Sequence, residues 1–212
     1  MKKQWPERKG ETPLDDVSGL KLRIPDPTRA QVNLAEAMNI QSAAGKYLRG
    51  KPADAKAPFN LPWMMKLHQE MFGGVWSWAG KFRDTNTSIG ADKINIQMLM
   101  LQLAADLKGW SEMGIPVLEQ AARLHHRAVQ IHPFKNGNGR WARMLTNIWL
   151  HKQDAGIIAW PDTADEVSPI RDEYIAALKA ADNMDEKPLL TLHERYWQKP
   201  PARIAAHEPR RE

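Results

Sequence analysis

Cysteine is absent from the 212 residues. That excludes disulfides, thiolate metal sites and a cysteine nucleophile. Also missing is any apolar run near the roughly 20 residues that a bilayer-spanning helix needs. The opening MKKQWPERKGETP is basic but has no apolar stretch behind it, so it does not read as a secretory signal and a cytoplasmic protein is expected. No segment repeats, and no long linker divides the chain. The zinc pattern His-Glu-x-x-His is missing, and so is the Gly-Lys-Ser/Thr that would complete a P-loop.

What is present suits one globular domain. Apolar residues make up 42% and charged residues 26%, a balance that supports a core and argues against disorder. Nine Trp stand against three Tyr and four Phe, scattered at helix-like positions, which reads as core filling and not as a base-stacking platform. The net charge of +5 is concentrated at the ends, in Lys2, Lys3, Arg8 and Lys9 and in Lys199, Arg203, Arg210 and Arg211. Solvated tails account for it, so neither nucleic acid nor membrane is an expected partner.

Helical periodicity dominates. A helix is expected to begin after Asp26, its cap, with Pro27 in the first position, and to run to about Leu48. LPWMMKLHQEMF places Trp63, Leu67, Met71 and Phe72 on one face before Gly73-Gly74 stops it. Lys81–Ile96 is rich in Thr, Asn, Ser and Gly and lacks the 3.6 period; it predicts a loop with a short hairpin. Leu99, Leu103, Leu107 and Trp110 then stripe another helix, and IPVLEQAARLHHRAVQI makes the next. After QIHPFKNGNG, a helix starts at about Gly139, and later helices cover about 165–181 and 187–197. The expected division is a flexible segment over 1–12, one helical domain over 13–198 that includes an N-terminal helical extension, and a basic tail over 199–212.

The stretch His132–Arg143 gathers chemistry. His132 ends a helix and is the side chain best suited to general base work near neutral pH. Gly137 and Gly139 permit positive φ, so successive backbone N–H groups can face one point, and the following helix N-terminus adds its own. Arg140 and Arg143, three residues apart, share a helix face. Base, anion-holding loop and two cations suit transfer of a phosphorus-centred group. On residue chemistry alone an ordinary interhelical turn fits NGNG equally well.

HPFKNGNGRWAR resembles the Fic family signature, HxFx(D/E)GNGRxxR, with every fixed position matched except one. LHQEMFGGVWSWAGKFR, NTSIG and AARLHHRAVQIHPF resemble the segments that lead to the family's flap, form it and deliver the histidine. GETPLDDVSGL with AEAMNI is similar to a bacterial branch called mobile mystery protein B. The likeness spans roughly Gly10 to Trp197. It implies an all-α Fic fold of about six to eight helices with a short β-hairpin flap. It also implies transfer of AMP from ATP, with Mg²⁺, onto a Ser, Thr or Tyr hydroxyl of a protein substrate. By position, His132 would be the base and Phe134 the core anchor of the loop. Asn136, Gly137, Asn138 and Gly139 would bind nucleotide phosphates; Arg140 and Arg143 would complete the catalytic set. Thr85, Asn86, Thr87, Ser88, Ile89 and Gly90 would form the flap that takes a target segment by strand addition.

Asn136 is the departure. An acid is usual there to hold Mg²⁺, and one neutral oxygen binds a hard cation less well. Gly139 keeps the AMP-transferring form, whereas phosphorylating relatives tend to carry Lys. The alternatives are therefore phosphoryl or other nucleotidyl transfer by the same site, or a catalytically weak nucleotide-binding domain. Many relatives carry an inhibitory Ser/Thr-x-x-x-Glu-Gly/Asn helix whose Glu pairs with the second motif arginine. No Glu here has Ser or Thr four residues earlier. Glu36, with Asn39 nearby, is a loose echo and the candidate inhibitory residue. The sequence favours a solvated helix charge there, with either restraint by a separate inhibitory protein or an intrinsically weak chain. His125 and His126 read as packed or surface residues, Arg83 as a nucleotide contact or a loop brace, and His193 receives no role.

Overall fold

Thr28 starts the first helix, not Asp26. Its hydroxyl accepts from the Gln31 N–H at 3.3 Å while Gln31 Oε1 accepts from the Thr28 N–H at 2.8 Å. This capping box satisfies two orphan donors at once, and Asp26 is left outside at φ 48°. Helix α1 follows over Arg29–Leu48. Asn60 caps α2 (Leu61–Phe72) by accepting from the Trp63 N–H, and Pro62 sits in the first turn, where its missing N–H costs nothing. These coordinates are a computed structural model that describes residues 19–161 and 169–200. The expected segment 1–12, most of GETPLDDVSGL and residues 201–212 lie outside the described residues.

Five further helices follow: α3 (Ile96–Glu112), α4 (Val117–Ile131), α5 (Asn138–Lys152), α6 (Pro169–Asp182) and α7 (Lys187–Tyr196). Strands β1 (Ile157–Ile158) and β2 (Trp197–Gln198) pair antiparallel, Ile158 opposite Trp197, and close the chain end against the end of α5. The sequence did not suggest them, since two residues are too few to show a period. The main core joins α1 to α5. Trp76, Trp141, Tyr47, Phe72 and Phe134 are fully buried in it. Trp141 Nε1 donates to the Met64 carbonyl at 3.1 Å and Trp149 Nε1 to Gln120 Oε1 at 3.2 Å, which satisfies the polar edge of these two core indoles.

The hairpin expected within Lys81–Ile96 takes another form. Among the described residues this segment has no strand ladder: it is a series of bends ending in a 3-10 turn, Lys93–Asn95. An isolated bridge joins Phe82 to Phe134, and the Ala91 N–H donates to the Ile131 carbonyl at 3.2 Å. Side chains replace the ladder. Asn86 Oδ1 accepts from the Lys93 N–H at 2.8 Å, and Lys93 Nζ donates to the Asp84 carbonyl at 2.6 Å.

The α3 stripe tests the packing. Leu103 is fully buried and Leu101 is 52% exposed on the same helix. Leu103→Ala should cost about 3 kcal/mol in denaturant unfolding, while Leu101→Ala should stay within about 0.5 kcal/mol of wild type. Equal effects would contradict this packing.

Candidate active site

His132 is the left-handed cap of α4, with φ 53° and ψ 58°, and its N–H bonds the Ala128 carbonyl at 3.3 Å. Pro133 disfavours the right-handed helical region for the residue before it, so the helix cannot run on. A non-glycine residue in this region is strained, and contacts on every side must hold it. The ring is buried. Burial, and then the nearby Arg83 guanidinium, push its pKa down to about 4, opposed by a hydrogen bond to the Val129 backbone. At neutral pH the imidazole is therefore neutral, the protonation state a general base needs.

The loop that follows is closed by its own side chains. Asn138 Oδ1 accepts from the Phe134 N–H at 2.9 Å and its Nδ2 donates to the Phe134 carbonyl at 2.8 Å. The side chain of Asn138 thus shapes the loop, and what it turns toward an anion is main chain. Asn136 Oδ1 accepts from the Gly137 N–H at 2.6 Å. Gly137 has φ 80°, and a methyl there would stand 2.7 Å from the Phe72 ring, so glycine is required twice over. Helix α5 then opens without a side-chain cap. Its first N–H groups have no carbonyl one turn earlier within the helix. Gly139 meets nothing within 4 Å where a side chain would begin, so the approach to this turn is open.

Arg140 lies in that first turn, and its Nη1 donates to Glu36 Oε2 at 2.5 Å, with the guanidinium over the Phe72 ring at 4.8 Å. Glu36 is 4% exposed, and its other oxygen accepts from Trp76 Nε1 at 2.6 Å. The expectation of a solvated charge is therefore overturned. One face of α1 packs onto the core and carries Val32 and Glu36 inward together, a four-residue spacing that a search for Ser or Thr before Glu could not reveal. The partner differs as well: it is the first motif arginine. The second, Arg143, lies 5.9 Å above the Tyr174 ring.

Arg83 braces the flap. Nε donates to the His132 carbonyl at 2.7 Å, Nη1 to the Thr85 carbonyl at 2.8 Å, and Nη2 to the Ala91 carbonyl. One planar fork thus ties both ends of the flap to the histidine. Gly90, at φ 100°, sits so close that a methyl would stand 2.5 Å from His132 Cβ. Thr85, Asn86, Ser88, Ile89 and Gly90 are exposed beside the site, with Thr87 partly so.

Behind Arg143 lies a buried relay that the sequence did not disclose, because its members come from three helices. His193 Nδ1 faces the Leu189 carbonyl at 2.8 Å and must donate to it. His193 Nε2 then accepts from His125 Nδ1 at 3.3 Å, and His125 Nε2 accepts from the Tyr174 hydroxyl at 3.0 Å. His126 is less deep and meets Asp182 at 2.9 Å.

A resident Mg²⁺ does not fit the donors present. Asn136 offers one neutral oxygen, already accepting from Gly137, and the described residues contain no group of three or more His, Cys, Asp or Glu that could hold a metal.

Burial gives a pH signature. It lowers His68 to about 3, His132 and His193 to about 4, and His125 well below the ordinary 6.5. These rings refuse protons that the unfolded chain takes up near pH 6.5. Stability is therefore full above 6.5 and falls as pH drops toward about 4. Urea unfolding at pH 5.0 should show at least about 2 kcal/mol less stability than at pH 7.5; a flat profile would mean the rings protonate in place.

Comparison with known proteins agrees with this geometry. The Fic/DOC family pattern matches residues 58–150. Protein adenylyltransferase fic-1 of Caenorhabditis briggsae is 30% identical over 132 residues, covering 60% of this chain and 25% of that protein. Protein adenylyltransferase VbhT of Bartonella schoenbuchensis is 31% identical over 106 residues, 46% of this chain and 22% of that one. This chain thus spans about a quarter of the length of the curated relatives it matches. Among solved structures, Fic-1 from C. elegans superposes with a TM-score of 0.65 at 21% identity, covering 82% of this chain and 51% of that one. BepC of Bartonella tribocorum, with bound AMPPNP, gives 0.63 at 19% identity over 85% and 91%. No helix among the described residues is long and apolar enough to cross a membrane. Residues 58–150 of this chain carry the Fic/DOC family pattern, and the described helices have the Fic fold.

Proposed function

We propose that this protein transfers AMP from ATP to a Ser, Thr or Tyr hydroxyl of a protein substrate. The observation that carries the reading is the uncapped first turn of α5, with Arg140 in it and a neutral, buried His132 at the other end of the same short loop. Relatives named protein adenylyltransferases and a fold neighbour with bound AMPPNP support it. His132 takes the proton from the target hydroxyl as its oxygen attacks the α-phosphorus. The bond from that phosphorus to the pyrophosphate oxygen breaks, and pyrophosphate leaves. Main-chain N–H groups of Asn138 and Gly139 hold phosphate oxygens, joined by that of Gly137 once Asn136 Oδ1 releases it; Arg140 neutralises the distal phosphates, and Arg143 assists. The exposed main chain of Thr85–Gly90 registers the target segment.

Glu36 restrains the site in this reading. Its carboxylate already occupies the Arg140 guanidinium that the phosphates need, so α1 must release it before nucleotide binds productively. Control then lies within the chain, without requiring a separate inhibitory protein. The mobile mystery protein B placement is a finer proposal that rests on Gly10–Leu20 and Ala35–Ile40. Asn136 favours a second reading, slow turnover by a domain that mainly binds nucleotide, because its oxygen caps the Gly137 N–H and carries no charge.

Incubation with α-³²P-ATP separates these. Wild type should label protein, and His132→Ala should lose about a hundredfold or more of that labelling. Equal labelling by both would defeat the transferase reading, and label from γ-³²P-ATP alone would replace AMP transfer by phosphoryl transfer. Glu36→Gly should raise self-labelling roughly tenfold; unchanged labelling would remove Glu36 from control.

A further inference from the structure

His68, on α2, lies outside the signature and takes no part in the chemistry above. The ring is fully buried. It stacks on Phe134 with centroids 3.7 Å apart and planes 17° apart, and tilts against Phe72 at 4.8 Å. Its two nitrogens face groups whose roles are fixed. Nδ1 lies 3.0 Å from the Gly80 N–H, which can only donate, so Nδ1 accepts. Nε2 must then carry the proton, and it lies 3.0 Å from the Asn136 carbonyl, which can only accept. The neutral tautomer is therefore set by the backbone at both ends. Burial and the nearby Arg140 charge hold the pKa at about 3, so the bond persists through the physiological range.

We infer that His68 is a positioning residue that locks the Asn136–Gly137 peptide in one of two orientations. A trans peptide points its carbonyl and its N–H in opposite directions. Drawing the Asn136 carbonyl toward the core ring turns the Gly137 N–H to the other side, where it meets Asn136 Oδ1 in this structure. Gly137, at φ 80° and without a side chain, opposes a flip only weakly. A flipped peptide would turn a carbonyl oxygen toward the anion side and the N–H toward the ring. His68 prevents this from the core side, while Phe72, packed on both His68 and Gly137, closes the space between them. That the N–H side receives phosphate rests on the function proposed above; the peptide lock itself does not.

Two variants separate the bond from the packing. His68→Phe keeps an aromatic ring on Phe134 but has no donor. His68→Gln loses the stack but can accept from Gly80 and donate to Asn136. In ligand-free protein, the Gly137 amide and Asn136 carbonyl NMR resonances should move or broaden in His68→Phe and return toward wild type in His68→Gln. With α-³²P-ATP as substrate, His68→Phe should raise the KM for ATP roughly tenfold with a smaller change in kcat, and His68→Gln should recover most of it. A merely structural role would lower the melting temperature of both variants and leave KM alone. Wild-type resonances for Gly137 in a folded His68→Phe would overturn the lock, whatever the nucleotide result. If His68→Phe does not fold, Gly137 resonances that stay displaced in a folded His68→Gln, despite its donor, would overturn it equally. Wild-type protein that neither binds nor transfers from ATP would defeat the functional reading instead, and the NMR comparison would still decide the lock.

Discussion

A short loop held in the left-handed region at both ends is the constraint on which this structure depends. His132 and Gly137 both have positive φ, and the six residues between α4 and α5 must turn sharply enough to put an imidazole and a helix N-terminus side by side. Left-handed backbone at a histidine is costly, so the neighbours hold it. Arg83 takes the His132 carbonyl, Asn138 clamps Phe134 from both sides, and His68 takes the Asn136 carbonyl. Phe72 fills the space against Gly137. Four side chains from three segments, α2, the flap and α5, converge on one loop.

The Glu36–Arg140 pair adds a second level. It joins α1 to α5 across 104 residues of sequence, and Glu36 is too deep for the pair to be a surface ornament. Buried pairs are poor stabilisers once desolvation is counted, though breaking one by removing a partner is expensive. A pair of that kind, placed on the cation that would meet phosphate, makes sense as a restraint. Trp76 holds the same carboxylate by its other oxygen, so the restraint is oriented as well as charged. The same geometry gives α1 a purpose beyond covering the core.

Much of this was legible in the sequence. Gly73-Gly74 marked the end of α2, and the signature singled out His132, Arg140 and Arg143. What escaped reading has a common cause: a partner remote in sequence. Glu36 looked solvated because its cation lies in another helix. His193 looked idle because its partners, His125 and Tyr174, sit on α4 and α6. His68 drew no reading from the sequence, because its two backbone partners lie in Gly80 and Asn136. The flap misled in another way. Thr, Asn and Gly texture suits a hairpin, but Arg83 draws the flap carbonyls of Thr85 and Ala91 to itself, and no ladder forms among the described residues.

The central claim is that this loop holds nucleotide phosphates so that an AMP group can pass to a protein hydroxyl. Mass spectrometry of whole-cell protein, with and without expression of the chain, tests it most directly, because the added mass names the transferred group. The account predicts an adenylyl adduct on a Ser, Thr or Tyr side chain that appears only with expression. A phosphoryl adduct alone, or no adduct at all, would contradict it.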